Sequence, residues 1–508
     1  MDCSRAQTTA ARLASVALVV VTALVTLSTS VAAHGGTARD PAPLSPLSTV
    51  PSWVGVALGL ALVAVGLVAV GRAVGDAGLT RTVGAVAVGL LAGGLLVAVV
   101  GTTGLGVPGG AAAETPLWTS DTARDIGGNH HAPAVAAGRV YAPLSGPGTA
   151  DGCELTALHS ADGGVVWRAP VDECTIHAVA DPAVADANGD GTDEVLVATT
   201  AEDLRVYDQN GTLLRRSSLA DYGYTRPVVA DIGASAAPET VVVDVRGTVA
   251  VFDTDGERRW QYALDDYVWA RPVVADVDGD GGREVFVAQR DGTLTLLSPT
   301  VGDDGETDEA TSAADVEWST GVGDDPGVSW VASGQADDDP ALELWVATVD
   351  GGVYAVDGAT GEVVWSRDVG SLAAVGGFGD GDGDGEREVY VTDNSGTVRA
   401  LDAATGEEAW ATRVTDGPVQ MMPPPSLGDT DGDGSPDLVV PAHDGSVTAL
   451  DPGDGGVVAR YERSVSAEAS DAGFDRLFGR ATLGDVDGDG DADAVVVYAD
   501  GTVVALDF

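Results

Sequence analysis

The chain runs to 508 residues and carries 78 acidic against 26 basic side chains, a formal net charge of −52. All 26 basic residues are arginines, since the sequence contains no lysine. A chain this long exceeds one small domain, and a body this acidic repels nucleic acid and anionic lipid surfaces, which argues against nucleic-acid recognition.

The charge is unevenly spread. Up to Ala113 the acids are Asp2, Asp40 and Asp76, and all the others follow. The apolar head contains three hydrophobic runs. The first, about 13–33, follows Arg5 and Arg12 and ends Val-Ala-Ala before His34. Small residues there suit signal-peptidase cleavage, and the length equally suits an uncleaved membrane helix. Residues 1–33 are therefore read as a signal peptide or a first transmembrane helix. Residues 34–113 are read as a membrane anchor with helices at about 53–71 and 83–100, each long enough to cross a bilayer. Trp53 falls where an interfacial anchor belongs. The link between the two carries Arg72 and Arg81, and the positive-inside rule places it in the cytoplasm. Both fates of the first run then put the chain after Gly101 outside the cell. No ionisable residue lies within the three runs, which argues against a transport pathway.

Residues 114–508 repeat. DPAVAD at Asp181, RPVVAD at Arg226 and RPVVAD at Arg271 recur 45 residues apart. Each precedes a loop, a β-rich run (EVLVATT, TVVVDVR, EVFVAQR), a turn and another strand (EDLRVYD, GTVAVFD, GTLTLLS). A fourth strand often opens near a Trp. Four short strands per unit, bounded by Gly and Asp turns, form a propeller blade. The third strands LTALHS, LRVYDQ, VAVFDT, LTLLSP, VYAVDG, VRALDA, VTALDP and VVALDF mark eight units. The fold class is thus all-β, an eight-bladed β-propeller of four-stranded blades, or seven blades if two units merge. The last unit stops at Phe508 without a fourth strand. A spare strand around Trp118 is expected to complete it and close the ring, leaving no open sheet edge.

AVDGATGEVVW (Ala355–Trp365), ALDAATGEEAW (Ala400–Trp410) and ALHSADGGVVW (ending at Trp167) resemble the tryptophan-docking repeat of PQQ-binding-like, quinoprotein-type propellers. The resemblance implies a Trp packed between neighbouring blades, with Trp260 and Trp318 in equivalent places and units two and seven lacking one. The abundance of acid without lysine resembles the composition of haloarchaeal proteins, in which a single surface acid serves solvation.

The loop between the first and second strands carries the chemistry. It reads DANGDGTDE, DVDGDGGRE, DGDGDGERE, DTDGDGSPD and DVDGDGDAD in five units. Oxygen-bearing side chains recur at positions one, three and five, and a carboxylate returns at nine. Hard cations such as Ca2+ take six to eight oxygens, and alternate side chains of a curling loop can converge on one ion. The candidate ligand sets are Asp186, Asn188, Asp190 and Glu194; Asp276, Asp278, Asp280 and Glu284; Asp380, Asp382, Asp384 and Glu388; Asp429, Asp431, Asp433 and Asp437; and Asp485, Asp487, Asp489 and Asp493. These loops resemble the calcium loops of FG-GAP, integrin-α-type propeller repeats, which implies a structural role for the ion. Two copies depart from the pattern. One keeps Asp231 and Glu239 without the middle acids and is expected to hold no ion. The other has Gln335 first, with Asp337, Asp339 and Glu343, and is expected to hold one weakly at best.

Cys153 and Cys174 lie close enough in sequence to pair in an oxidising exterior, or to remain two thiols. His130 and His131, as adjacent strand residues, would face opposite ways and make poor co-ligands. No nucleophile–base pair or metal triad is legible. A PQQ-dependent dehydrogenase is the alternative that the family resemblance raises, but the connections between units are mostly too short to roof a cofactor. The expectation is a propeller held at the outer face of the cell membrane, binding an extracellular protein or glycan. An envelope assembly factor is the further alternative.

Overall fold

The computed structural model describes residues 112–508 except 114, 123–128, 147–151, 173, 176, 233–236, 300–313, 338, 417–418, 467–469, 471–472 and 474. Among the described residues no helix is long and apolar enough to cross a membrane. The three hydrophobic runs, and with them the signal-peptide and anchor expectations, lie outside the described residues.

The body is a ring of eight sheets, each an antiparallel four-strand meander apart from one added strand. The innermost strands are Ala134–Ala136, Ala183–Ala185, Val228–Ala230, Val273–Ala275, Val328–Gly334, Ala374–Gly379, Ser426–Gly428 and Thr482–Gly484. Blade 1 continues outward through Arg139–Leu144, Glu154–His159 and Val165–Pro170. The second and third strands of a blade are sandwiched between neighbouring blades. They accordingly read as unbroken apolar runs, as in Glu239–Val243 and Glu284–Ala288, buried along their whole length. The outermost strands meet water on one face, and Val363–Asp368 is largely exposed.

The expected closure is present. Trp118–Ser120 pairs antiparallel with Val503–Leu506, Trp118 facing Ala505 and Ser120 facing Val503, so the first strand of the ring completes blade 8. Ala112–Ala113 adds a fifth, parallel strand outside Val457–Glu462 of blade 7. It covers part of an edge that would otherwise present unpaired backbone groups.

Tryptophan docking joins the blades. The Trp167 indole N–H donates to the Gln209 carbonyl of the next blade at 3.0 Å, and its ring lies where a side chain on Gly211 would stand. Trp118, Trp318, Trp365 and Trp410 make the same bond to Ser160, Gly358, Ala403 and Pro452 at 2.5–2.9 Å. Their rings cover Gly163, Gly361, Gly406 and Gly455. Those glycines have φ of 68–71°, a region that favours glycine, so both the turn and the ring contact exclude a side chain. A β-bulge interrupts the pairing of the third and fourth strands in seven blades. It lies beside the docking residue and re-aims it. In blade 2 that place belongs to Arg215, whose guanidinium donates to the Thr254 carbonyl and, at 3.1 Å, to the Ala187 carbonyl. Arginine thus replaces the indole N–H with several donors and covers the turn with its aliphatic stem. In blade 7 the place falls to Ala459. Cys153 and Cys174 are joined as a disulfide, Cα to Cα 5.1 Å.

Candidate functional site

The innermost strands line a cavity on the axis, and in six blades they run on into an acidic loop; in blades 5 and 6 the lining continues along the strand as far as Ser333 and Phe378.

The acidic loops owe their shape to two glycines. Positions four and six are left-handed in all five: φ is 75° and 88° at Gly189 and Gly191, and 92° and 107° at Gly488 and Gly490. The chain therefore curls about the first aspartate. Asp186 accepts from the Gly189 and Gly191 N–H groups at 2.7 and 2.8 Å, Asp380 from Gly383 and Gly385 at 2.7 and 3.1 Å, and Asp429 from Gly432 and Gly434 at 2.9 and 3.0 Å. Asp276 accepts from Gly281 and Asp485 from Gly488. One oxygen of Asp276 is buried without a hydrogen-bond partner.

The curl gathers carboxylates. One oxygen from each of Asp380, Asp382 and Asp384 lies within 4.8 Å of the others, as do those of Asp429, Asp431 and Asp433, and of Asp485, Asp487 and Asp489. In the second loop the close set is Asp276, Asp278 and Glu284, and Asp280 accepts the Gly282 N–H at 2.7 Å, a turn bond that Asp384, Asp433 and Asp489 also make. In the first loop the amide of Asn188 ties Asp190 and Glu194 together, at 3.1 and 2.9 Å. The degenerate loop also gathers three carboxylates, Asp337, Asp339 and Glu343. Its first-position Gln335 ties the loop in the aspartate's stead, donating to the Asp339 carbonyl and, at 2.9 Å, to the Ala341 carbonyl and accepting the Asp337 N–H at 3.2 Å.

The ninth-position acid has a role that spacing did not reveal. Glu194, Glu284, Glu388, Asp437 and Asp493 each accept the backbone N–H of position two: Ala187, Val277, Gly381, Thr430 and Val486, at 2.8–3.1 Å. Glu343 and Glu239 do the same in the degenerate copies. This bond staples the loop even where the middle acids are missing. Burial, followed by the charge of the loop aspartates, raises the carboxyl of Glu284, Glu388 and Asp437 and brings Asp493 up to about 6. Glu194 is raised in the same way.

The cavity encloses about 440 Å³. At its rim the histidines depart from expectation. Residues 129–133 precede the first innermost strand, so strand alternation does not govern them. The rings of His130 and His131 lie 5.3 and 5.5 Å from that of His177, and His177 stands 4.9 Å from Tyr224. Nδ1 of His131 bonds Asp181 at 3.0 Å. Burial first, and the neighbouring histidines after it, push His130 down to about 4 and His177 to about 3. His443, 4.9 Å from Phe478, is also held near 4 by burial. His130, His131, His177 and His443 thus gather with Tyr224 and Phe478 into one aromatic cluster, in which burial disfavours the charged form of His130, His177 and His443. Among the described residues they do not join a set of three converging metal-ligand atoms.

Eight four-stranded blades, five of their junctions bonded by a tryptophan indole, around a central cavity define a β-propeller of the PQQ-repeat class. The family model described as outer membrane protein assembly factor BamB matches residues 110–264 and 318–508, and the chain belongs to that family. A second model, the lambda-carrageenase β-propeller domain, matches residues 240–305. Among solved structures the chain is similar to BamB from Moraxella catarrhalis, at 16% identity and a TM-score of 0.52, covering 78% of this chain and 98% of that one. The computationally designed Ika8 protein is similar at 16% identity and a TM-score of 0.54, covering 77% and 99%. The C-terminal WD40 domain of Sif2 is similar at 14% identity and a TM-score of 0.52, covering 79% and 99%. At these identities the likeness establishes the fold alone. No curated protein matches the chain.

Proposed function

We propose that the chain is a membrane-anchored, extracellular, calcium-binding propeller that acts as a scaffold for a protein or glycan partner. The observation that carries the reading is the convergence of three carboxylates in one place in successive blades. Like charges so close repel one another, and an uncompensated cluster is costly. A divalent cation removes that cost and gains hard oxygen ligands, which is the logic of FG-GAP-type loops. Asp380, Asp382 and Asp384, Asp429, Asp431 and Asp433, and Asp485, Asp487 and Asp489 would supply the carboxylates, Asp276, Asp278 and Glu284 those of the second loop. The ninth acid, bonded through one oxygen to the loop backbone, keeps its other oxygen for the ion or a bound water, except Glu194, whose Oε1 accepts from the Asn188 amide. Asp186, Asn188 and Asp190 form the weakest of the five candidates, since Asn188 brings no charge. The ion's role is to hold the connections between first and second strands, and hence one face of the ring.

The scaffold reading is supported by the family match and by the absence of a nucleophile–base pair among the described residues. The solved relative from Moraxella catarrhalis is named for BamB, and the matched family is described as an outer membrane assembly factor. An envelope assembly role is therefore the second reading. The outside placement rests on the arginines Arg72 and Arg81 between two apolar runs, and the acid-rich, lysine-free composition fits a protein of a haloarchaeal, high-salt exterior. The test is a cell-surface pull-down with the full-length protein in detergent, with and without calcium. Specific, calcium-dependent capture of an envelope protein or glycoconjugate is expected. Protease treatment of intact cells that leaves the propeller uncut while it cuts known surface proteins would contradict the placement.

A further inference from the structure

One repeat position faces the axis in every blade. It is the fifth residue before the first loop position, where the innermost strand enters the cavity. The eight residues there are Ala132, Asp181, Arg226, Arg271, Trp330, Val375, Pro424 and Arg480, and all eight line the same cavity. The ring is divided. Arg480, Arg226 and Arg271 fall on one side, with Ala132 and Asp181 between the first two. Trp330, Val375 and Pro424 form the apolar remainder.

The three arginines are out of character for this chain. Nine other described arginines meet carboxylates, among them Arg205 with Asp203, Arg399 with Asp393 and Arg463 with Asp500, and Arg215, Arg367 and Arg387 bond backbone carbonyls. In a protein of net charge −52 an unpaired arginine is easily avoided. Yet Arg226, Arg271 and Arg480 make no ion pair and no side-chain hydrogen bond among the described residues. They stand close enough to disfavour one another's charge. Loss of bulk water, then the charges of Arg480 and Arg226, bring Arg271 down to about 10. Arg226 is lowered in the same way, by burial and by Arg480. Asp181 is the one carboxylate in the lining, and its Oδ1 is already engaged by Nδ1 of His131 and the Ala132 N–H, both at 3.0 Å. Three guanidinium groups therefore face one carboxylate already engaged, while His130 and His177 stay neutral at pH 7.

We propose that the axial cavity is a binding site for a small organic oxyanion, with a carboxylate or phosphate group held by Arg226, Arg271 and Arg480 and an apolar body against Trp330, Val375 and Pro424. The chemistry is that of the guanidinium fork. Each arginine presents donors in a plane that matches two oxygens of a carboxylate or phosphate, and enclosure strengthens the attraction over its value in open solvent. The acidic surroundings add selectivity, because anions are repelled everywhere else on the body. The three arginines lie five residues before the first loop position of their blades, and none of them bonds a loop carboxylate among the described residues, so the site does not depend on calcium.

The test uses the full-length protein in detergent at fixed, high potassium chloride. Benzoate and phenylphosphonate are titrated calorimetrically, with benzyl alcohol as the uncharged analogue. The expected result is saturable binding of one or both anions and none of the alcohol, with the better anion identifying the group. Arg271→Gln and the double variant Arg226→Gln/Arg480→Gln are expected to weaken binding at least about tenfold. Their melting temperatures without ligand are expected to equal or exceed that of the parent, because mutual repulsion is relieved. No binding of either anion, equal binding of the alcohol, or unchanged binding in the variants would overturn the site. A drop of several degrees in the unliganded variants would also overturn it, by making the arginines structural.

Discussion

Trp118 belongs to two blades at once: its backbone pairs with Ala505 of blade 8, and its indole N–H bonds Ser160 of blade 1. One residue thus closes the ring through both main chain and side chain. Trp118→Ala is expected to cost about 3–5 kcal/mol, the usual range for deleting a buried tryptophan. Gly163→Ala should also destabilise, since its φ is 68° and the added carbon would fall 2.5 Å from the Trp118 ring. Denaturant melts of the two variants check this, and a change below about 0.5 kcal/mol in Trp118→Ala would contradict the closure role.

The disulfide gives a second handle. Cys153 and Cys174 are 21 residues apart in sequence, and a loop of that size is worth about 3 kcal/mol when cross-linked. Reduction should lower the melting temperature of the parent and leave Cys153→Ser/Cys174→Ser unchanged. Equal melts of the parent with and without reductant would argue against the bond.

The buried histidines set a pH dependence. Their folded values are depressed, near 4 for His130 and His443 and near 3 for His177, against about 6.5 unfolded. As pH falls below about 6.5 the unfolded chain takes up protons that the folded state refuses. Stability is therefore fully present at neutral pH and is lost progressively down to about 4. Each histidine should contribute on the order of 2 kcal/mol to that loss. His177→Gln is expected to flatten the melting temperature between pH 7 and 5, and an unaltered slope would refute the assignment.

A quinone enzyme would behave differently from a scaffold. Adding PQQ and calcium to the full-length protein is expected to give no alcohol- or sugar-dependent dye reduction. Sustained turnover would replace the scaffold reading with an oxidoreductase.

Much of the architecture was legible because it is periodic. The eight third-strand segments, from LTALHS to VVALDF, each fall within or across the third strand of one blade, or, in the last, the strand that Trp118 caps. Trp167, Trp365 and Trp410 were legible because Gly-x-x-x-Trp is a local signal, and Trp118 and Trp318 by their place in the repeat. Arg215 was not, since its service as a docking residue depends on carbonyls of Thr254 and Ala187 that only packing brings near. The convergence of Asp337, Asp339 and Glu343 was not legible because Gln335 breaks the pattern, whereas its amide and the Glu343 staple hold the curl. Arg226 and Arg271 were visible as the first letters of RPVVAD, and Arg480 as that of RATLGD, but only ring closure reveals that this position turns inward. The histidine cluster was hidden for the same reason: His130 and His177 are far apart in sequence and meet across the boundary of blades 1 and 2.

The account's central claim is that the acidic loops hold divalent cations. Its most direct test is an isothermal calcium titration of the full-length, EGTA-stripped protein at constant high salt, with Asp382→Asn/Asp431→Asn/Asp487→Asn as control. Binding of several ions per chain is expected, roughly one per intact loop, with about three lost in the control. Heats no larger than dilution would contradict it.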